Sequence, residues 1–301
     1  MSRFSEGAVF DHWGAWKGLG FLKTAPPERA PWLLHEGDGL CVSGESLSKA
    51  PYYDHSYFIF YNGNLHNYYH WLVEGLLVLD ILSRSLGPDS RVKILLPKSM
   101  DMVAAFDHRG SLPAAGFNGH EVVEVGANLI KVREAIWVES DIVEHMPAPY
   151  LKDFQKRIAA LYAGLRSPRN RRLLVARKLP TRKIQNLGQL QAFLSRYDFE
   201  TVYLEGMSVV DQILLFQSAE FIIGPHGAGL ANLLFCEPGT KVIELMPSAE
   251  VRPFFWMISD KLDLVHGMLF CSPVGGDTFQ AAIQVDIDKL DALIRMVNAH
   301  L

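Results

Sequence analysis

The sequence predicts an α/β protein whose parallel sheets are covered by helices and shared between two lobes. Three observations carry this. Strand-like runs such as Tyr57-Phe58-Ile59-Phe60-Tyr61 and Phe221-Ile222-Ile223 alternate with amphipathic segments of helical length, the pattern of βαβ units. A chain of 301 residues, 49% hydrophobic and 21% charged, can fill two lobes of ordinary size and bury a substantial core. Arg166-Ser167-Pro168-Arg169-Asn170 is polar, basic and proline-containing, and a fresh strand follows it, so lobes of 1–165 and 166–301 are expected.

The elements follow in order. Residues 1 to about 37 carry Trp13, Trp16, Trp32, Pro26, Pro27 and Pro31 without periodicity and are expected to be ordered but irregular. The aromatic strand 57–61 runs into a turn at Asn62-Gly63 or Asn64. A helix over 65–86 is stopped by Gly87-Pro88. Short strands are predicted at 92–96, 122–123 and 135–138, and a helix at 149–164. In the second half, strand 173–176 precedes a helix capped by Asn186 and reaching Arg196, then strand 201–204. Ser208 and Asp211 form a capping-box pattern opening a helix to Ser218. Strand 221–223, a Gly-rich loop, a short helix 228–235, strand 241–245, helix 253–261 and strand 283–286 come next. Helix 287–299 closes the chain, free to pack back on the first lobe.

A net charge of -4 argues against a nucleic-acid binder, which normally needs a large basic face. Cys41, Cys236 and Cys271 are far apart and odd in number, giving neither a disulfide framework nor a CxxC pair. The opening residues lack a signal-peptide apolar region, and no apolar run approaches the ~20 residues of a membrane span. The expected location is cytoplasmic, with peripheral contact at the inner membrane face left open.

Within this acidic chain, Arg166 to Lys183 holds Arg166, Arg169, Arg171, Arg172, Arg177, Lys178, Arg182 and Lys183 and no acid, which points to an anionic ligand. Arg177 and Arg182 lie past the carboxyl end of a predicted strand, where open α/β sheets bind ligands, and guanidinium groups there can clamp a diphosphate. A solvated surface stretch suits Arg166, Arg169, Arg171 and Arg172 better. Gly224-Pro225-His226-Gly227-Ala228-Gly229 joins a strand to a helix; its glycines admit close approach and the helix start offers free amides to phosphate. It matches neither a Walker A loop nor G-x-G-x-x-G, and a packed histidine is the competing reading of His226. Glu244, in an apolar strand, needs a partner: ribose hydroxyls, or a neighbouring Arg or Lys.

In the first half His66, His70 and Glu74 stand at i, i+4 spacings on one helical face, next to Asn67. The face offers a general base, with Glu74 orienting His70 or taking the proton itself. A metal site and a merely polar face are the alternatives, the former incomplete because His-x-x-x-His lacks the Glu of a zinc helix.

His66-Asn67-Tyr68-Tyr69-His70-Trp71 with Glu74, Arg177 through Asn186, Glu205 with Asp211-Gln212, and Gly224 through Asn232 to Glu244 together resemble glycosyltransferase family 61. The resemblance spans about residues 60–247. It implies a GT-B arrangement of two Rossmann-like lobes and inverting transfer from a nucleotide-diphosphate sugar, a UDP-sugar being the expected donor, to a glycan or glycolipid hydroxyl. It implies a bacterial member serving surface polysaccharide synthesis, with no metal or other cofactor. His70 or Glu74 then serves as base, His66 and Asn67 lie on the acceptor side, and Arg177, Arg182, Lys183, Gly224, His226, Gly227, Ala228, Gly229, Asn232 and Glu244 hold the donor. A metal-dependent hydrolase built on His66 and His70, or an inactive nucleotide- or glycan-binding protein, are the competing expectations.

Overall fold

The computed structural model describes residues 2–5, 8–9, 33–36, 39–42, 44–59, 66–87, 91–97, 106–117, 119–125, 129–137, 146–179, 181–276 and 278–299. The chain divides into two compact units, Met1–Ile142 and Val143–Leu301.

The first unit holds a six-stranded mixed sheet. Its strands are β1 (Ser2–Ser5), β2 (Ala8–Val9), β5 (Tyr52–Ile59), β6 (Lys93–Pro97), β7 (Val122–Val125) and β8 (Leu129–Trp137). Strand β5 pairs in parallel with β6 and with β8, and β6 with β7. Tyr57, Phe58 and Ile59, like Ile94, Leu95 and Leu96, are buried throughout, as strands covered on both faces must be. The expectation of an irregular start fails at Ser2–Ser5 and Ala8–Val9, which pair antiparallel with β8. β3 (Leu33–Glu36) and β4 (Gly39–Val42) form a separate antiparallel ribbon. The turn expected at residues 62–64 lies outside the described residues.

The helix expected over 65–86 begins later and opens as a π-helix, His70–Leu76, before continuing as α-helix over Leu77–Leu86. Asn67 Oδ1 accepts from the Tyr69 N–H at its start. Gly87, at φ 78°, ends it by donating to Ser83 O.

The second unit is built on a six-stranded sheet in the order β10-β9-β11-β12-β13-β14. These strands are β9 (Arg171–Ala176), β10 (Phe199–Tyr203), β11 (Ala219–Pro225), β12 (Lys241–Pro247), β13 (Val265–Val274) and β14 (Ala282–Gln284). Strands β9 to β13 are parallel and β14 adds antiparallel to β13. Strand order therefore reverses between β9 and β11, the switch point where doubly wound sheets open a crevice at their carboxyl ends. On one face Leu174, Ile223, Ile243 and Leu245 pack with Leu190, Phe193 and Leu194 of helix Leu187–Leu194 and with Leu290, Ile294 and Val297 of helix Ile287–Ala299. That closing helix is thus part of the second unit's own core. Val242, Glu244 and Met246 alternate onto the opposite face.

Sequence expectation and structure differ at two places here. The unit boundary falls before the helix Ala148–Leu161, not after it. Gln155 of that helix bonds Cys236 O, Lys152 pairs with Asp263 at 2.6 Å, and Lys261 reaches Met146 O at 2.8 Å, all ties within the second unit. Strand β13 is absent from the strands expected of the sequence, although Met268-Leu269-Phe270-Cys271 is an apolar run; only Leu269 and Cys271 of the strand are buried. The short helix expected over 228–235 forms as the 3₁₀ segment Ala228–Phe235, pinned by Asn232 Nδ2, which donates to Gly229 O and to Gln212 Oε1. The Ser208 cap forms as expected, accepting from the Asp211 N–H at 3.1 Å.

Candidate functional site

At the switch point, Arg177 leaves β9 beside the His226-Gly227 turn that leaves β11. Gly224 lets the two strands approach, since a Cβ there would lie 3.1 Å from the Val175 Cβ. A Cβ on Gly227 would collide with Arg177 Nη1, so the guanidinium lies against the bare glycine backbone. Gly227 has φ 167°, extended backbone open to any residue, so its smallness serves that contact alone. Gly227→Ala is therefore expected to leave the unfolding midpoint nearly unchanged, the obstructing atom being the tip of a flexible side chain. It should displace Arg177 and weaken anion binding about tenfold, the loss of roughly one charge-assisted hydrogen bond; denaturation and calorimetry on the same variant check both halves.

Arg182 sits across the site with φ 53°, an unusual backbone state for arginine. Its segment is zipped to the residues around β14: Ile184 bridges Ile283, Arg182 N donates to Gln280 O, and the Asn186 side chain bonds both the N–H and the C=O of Val285. Asn186 thereby spends its side chain on Val285 and makes no cap bond to the helix it precedes. The zipper brings Phe279 under the Arg182 guanidinium at 4.8 Å, with Arg252 at 4.3 Å from the same ring centroid and the His226 ring at 5.2 Å. Burial, with Arg177 and Arg252 close by, lowers Arg182 to about 10. Its Nε is buried without a partner, and no carboxylate reaches ion-pair distance among the described residues. Burial also lowers Arg177 against the opposing influence of Glu205. Lys183 is exposed. Arg252 and Phe279 had not been singled out from the sequence, where they lie far from the basic segment.

Glu244, wholly buried, answers its need for a partner with two imidazoles. Its Oε1 meets His226 Nδ1 at 2.5 Å and its Oε2 meets His266 Nε2 at 3.1 Å. Burial pushes the carboxyl up, but hydrogen bonds and charge from His226 and His266 outweigh it and hold Glu244 below the ordinary carboxylate range. His266 Nδ1 completes the chain on Ser259 Oγ at 2.7 Å. Both carboxylate oxygens are thus occupied, and the ribose-hydroxyl or Arg/Lys role expected of Glu244 passes to histidines. Glu205 holds the Lys178 N–H at 3.0 Å, while its Oε2 is buried and unpartnered.

The remaining basic residues separate from this group. Arg166 pairs with Glu237, Arg171 doubly with Glu200, and Arg172 with Glu220. Arg169, Arg172 and Lys241 line a cleft of about 250 Å³ at the opposite, amino end of the strands.

In the first unit His70 Nδ1 and Glu74 Oε2 are 2.9 Å apart and partly exposed, so the i, i+4 pairing survives the π-turn. Trp71 anchors this stretch, donating to Ser111 Oγ at 2.6 Å with its ring edge-on to His108. π-segments inside helices are frequent at functional sites. His66 and Asn67 are exposed ahead of the helix, Asn67 accepting at its start. Among the described residues no group of three His, Cys, Asp or Glu side chains is arranged to hold a metal, and no helix is long and apolar enough to cross a membrane.

Fold and site define a doubly wound α/β unit with a half-buried arginine cluster and a buried His–Glu chain at its switch point. The chain belongs to the glycosyltransferase 61 family, whose model matches residues 68–243. It is 43% identical over 53 residues to the β-1,2-xylosyltransferase RCN11 of Oryza sativa subsp. japonica. It is 39% identical over 56 residues to a β-1,2-xylosyltransferase of Arabidopsis thaliana. These stretches are 18% and 19% of this chain, and each covers 10% of the relative's length.

Proposed function

We propose that the chain is an inverting glycosyltransferase of GT-B type, moving a sugar from a nucleoside-diphosphate donor to a glycan hydroxyl. The second unit binds the donor diphosphate and the first supplies the base. The observation that carries this is Arg182: a half-buried guanidinium with no carboxylate at ion-pair distance among the described residues, beside Arg177 and the Glu250-paired Arg252, at the carboxyl edge of a parallel sheet. Such a cluster of like charges is completed by a multivalent anion, and a diphosphate leaving group develops its charge there during transfer. The amides that open the 3₁₀ segment at Ala228 and Gly229 add donors beside it. Glu205 takes the ribose, since its Oε2 is unpartnered while the oxygens of Glu244 are both taken. Membership of the family and the xylosyltransferase relatives support sugar transfer; the donor in this proposal is a UDP-sugar. The arginines supply the positive charge that a metal ion would otherwise bring.

Calorimetric titration with UDP in the presence of EDTA tests this directly. Binding should survive the chelator, and Arg182→Ala and Arg177→Ala should each weaken it by about 1.5–3 kcal/mol, the range for hydrogen bonds to charged groups. Unchanged affinity in both variants would sink the assignment. Binding restored only by a divalent ion would favour the metal reading of the His70 helix.

A further inference from the structure

Resting on the donor-site reading, we propose that the nucleoside diphosphate binds together with a proton, taken up at His226 Nε2, and that Glu244 and His266 are positioning residues for this uptake.

The geometry assigns the atoms. An ionised Glu244 accepts on both oxygens, so His226 presents Nδ1–H to Oε1 and His266 presents Nε2–H to Oε2. His266 Nδ1 is then the acceptor for the Ser259 hydroxyl. This order fixes the tautomer of His226 and leaves Nε2 as its unassigned nitrogen, without a hydrogen-bond partner among the described residues. The ring cannot turn away, because Phe255 at 4.9 Å and Phe279 at 5.2 Å hold it and its backbone N–H is tied to Leu245 O at 2.9 Å. A nitrogen with a lone pair repels a phosphate oxygen, whereas a protonated one donates to it. The diphosphate and the proton therefore favour each other at Nε2.

Charged groups face the ring from several elements. Glu244 on β12 holds Nδ1, and Glu250 lies beyond it. His266 on β13 shares the same carboxylate. Arg182 and Arg252 stack on the Phe279 ring that also touches His226, and Arg177 lies against Gly227. Arg252 is already paired with Glu250 at 2.8 Å, so a bound diphosphate meets chiefly the charges of Arg177 and Arg182. The buffer supplies the proton that enters with it.

The experiment is UDP titration calorimetry at pH 7.5 in buffers of different ionisation enthalpy, with GDP as the alternative nucleoside diphosphate. At this pH the terminal phosphate is already ionised, its second pKa being about 6, so the ligand is a poor source or sink of protons. Wild-type protein should take up a substantial fraction of one proton per UDP, and the ¹⁵N shift of the His226 ring should move to the imidazolium range on saturation. His226→Asn should still bind UDP, about tenfold more weakly, with uptake abolished. Glu244→Gln should move the uptake to lower pH, a displacement that a purely structural carboxylate would not produce. Binding heats independent of buffer in the wild type would overturn the proton coupling while leaving the diphosphate site standing. Uptake persisting in His226→Asn would overturn its assignment to this residue. Absence of binding by either nucleotide would remove the donor-site reading and this inference together.

Discussion

Glu244→Ala is expected to cost the second unit roughly 3–5 kcal/mol, the largest stability loss of any single substitution in the site, because it breaks a fully buried charged cluster from its centre. Glu244 is 0% exposed and serves two imidazoles at once. Its removal deletes two charge-assisted hydrogen bonds and leaves two buried N–H groups without acceptors, while Val242 and Met246 on either side admit no water easily. Glu244→Gln keeps the shape and one acceptor, so it should cost distinctly less. The pH dependence has a definite sign. The folded-state carboxyl is held below its unfolded value of about 4.3, so its contribution is complete above that pH and fades as pH falls through the lower, folded value. Urea melts at pH 7 and pH 3 should therefore show the gap between wild type and Glu244→Ala narrowing in acid. An equal gap at both pH values would mean that the charge on Glu244 contributes nothing.

Local pattern made part of this site legible in the sequence. Arg177 and His226 sit at ends of apolar runs followed by turn residues, and that arrangement alone places them at the carboxyl edge of a parallel sheet. The pairing of His70 with Glu74 follows from helical spacing. Glu244 announced a partner by its apolar neighbours, though not which one. What stayed hidden was brought in by distant segments. His266 stands at the start of β13, ahead of its apolar run Met268–Cys271, and nothing local links it to Glu244. Phe279 and Arg252 reach Arg182 only because residues 182–186 zip onto residues 280–285, a contact between segments about a hundred positions apart. Arg166, Arg171 and Arg172 lie apart from the site, each paired with a carboxylate, of Glu237, Glu200 and Glu220 in turn. Within the π-turn over His70–Leu76, Trp71 is held by Ser111, 40 positions on, a contact local spacing does not announce.

Glu74→Gln and His70→Ala are expected to lower turnover by ~10²–10⁴-fold, the usual contribution of a general base, while UDP affinity stays close to that of the wild type. The argument starts from the pair itself. His70 and Glu74 are 2.9 Å apart, partly exposed, and mounted on a stretch whose neighbours Trp71, Leu72 and Val73 are buried, so a polar dyad is presented on a rigid support. A carboxylate bonded to one ring nitrogen directs the other outward as a proton acceptor, the arrangement that activates a hydroxyl in many nucleophilic enzymes. Every basic residue proposed to hold the donor lies in the second unit, and neither member of the dyad does. Loss of the base should therefore fall on turnover and spare nucleotide binding. His66→Ala should do less, because His66 is exposed ahead of the helix and bonded to neither partner in this structure. Turnover and UDP titration are to be measured on each variant, with circular dichroism to confirm folding. If folded Glu74→Gln and His70→Ala both retain near-normal turnover, the base lies elsewhere. Exposed Asp54 and His55 on β5 are then the next residues to replace, Asp54 lying 3.5 Å from Arg133. A fall in UDP affinity equal to the fall in turnover would instead place the dyad against the donor and refute its role as base.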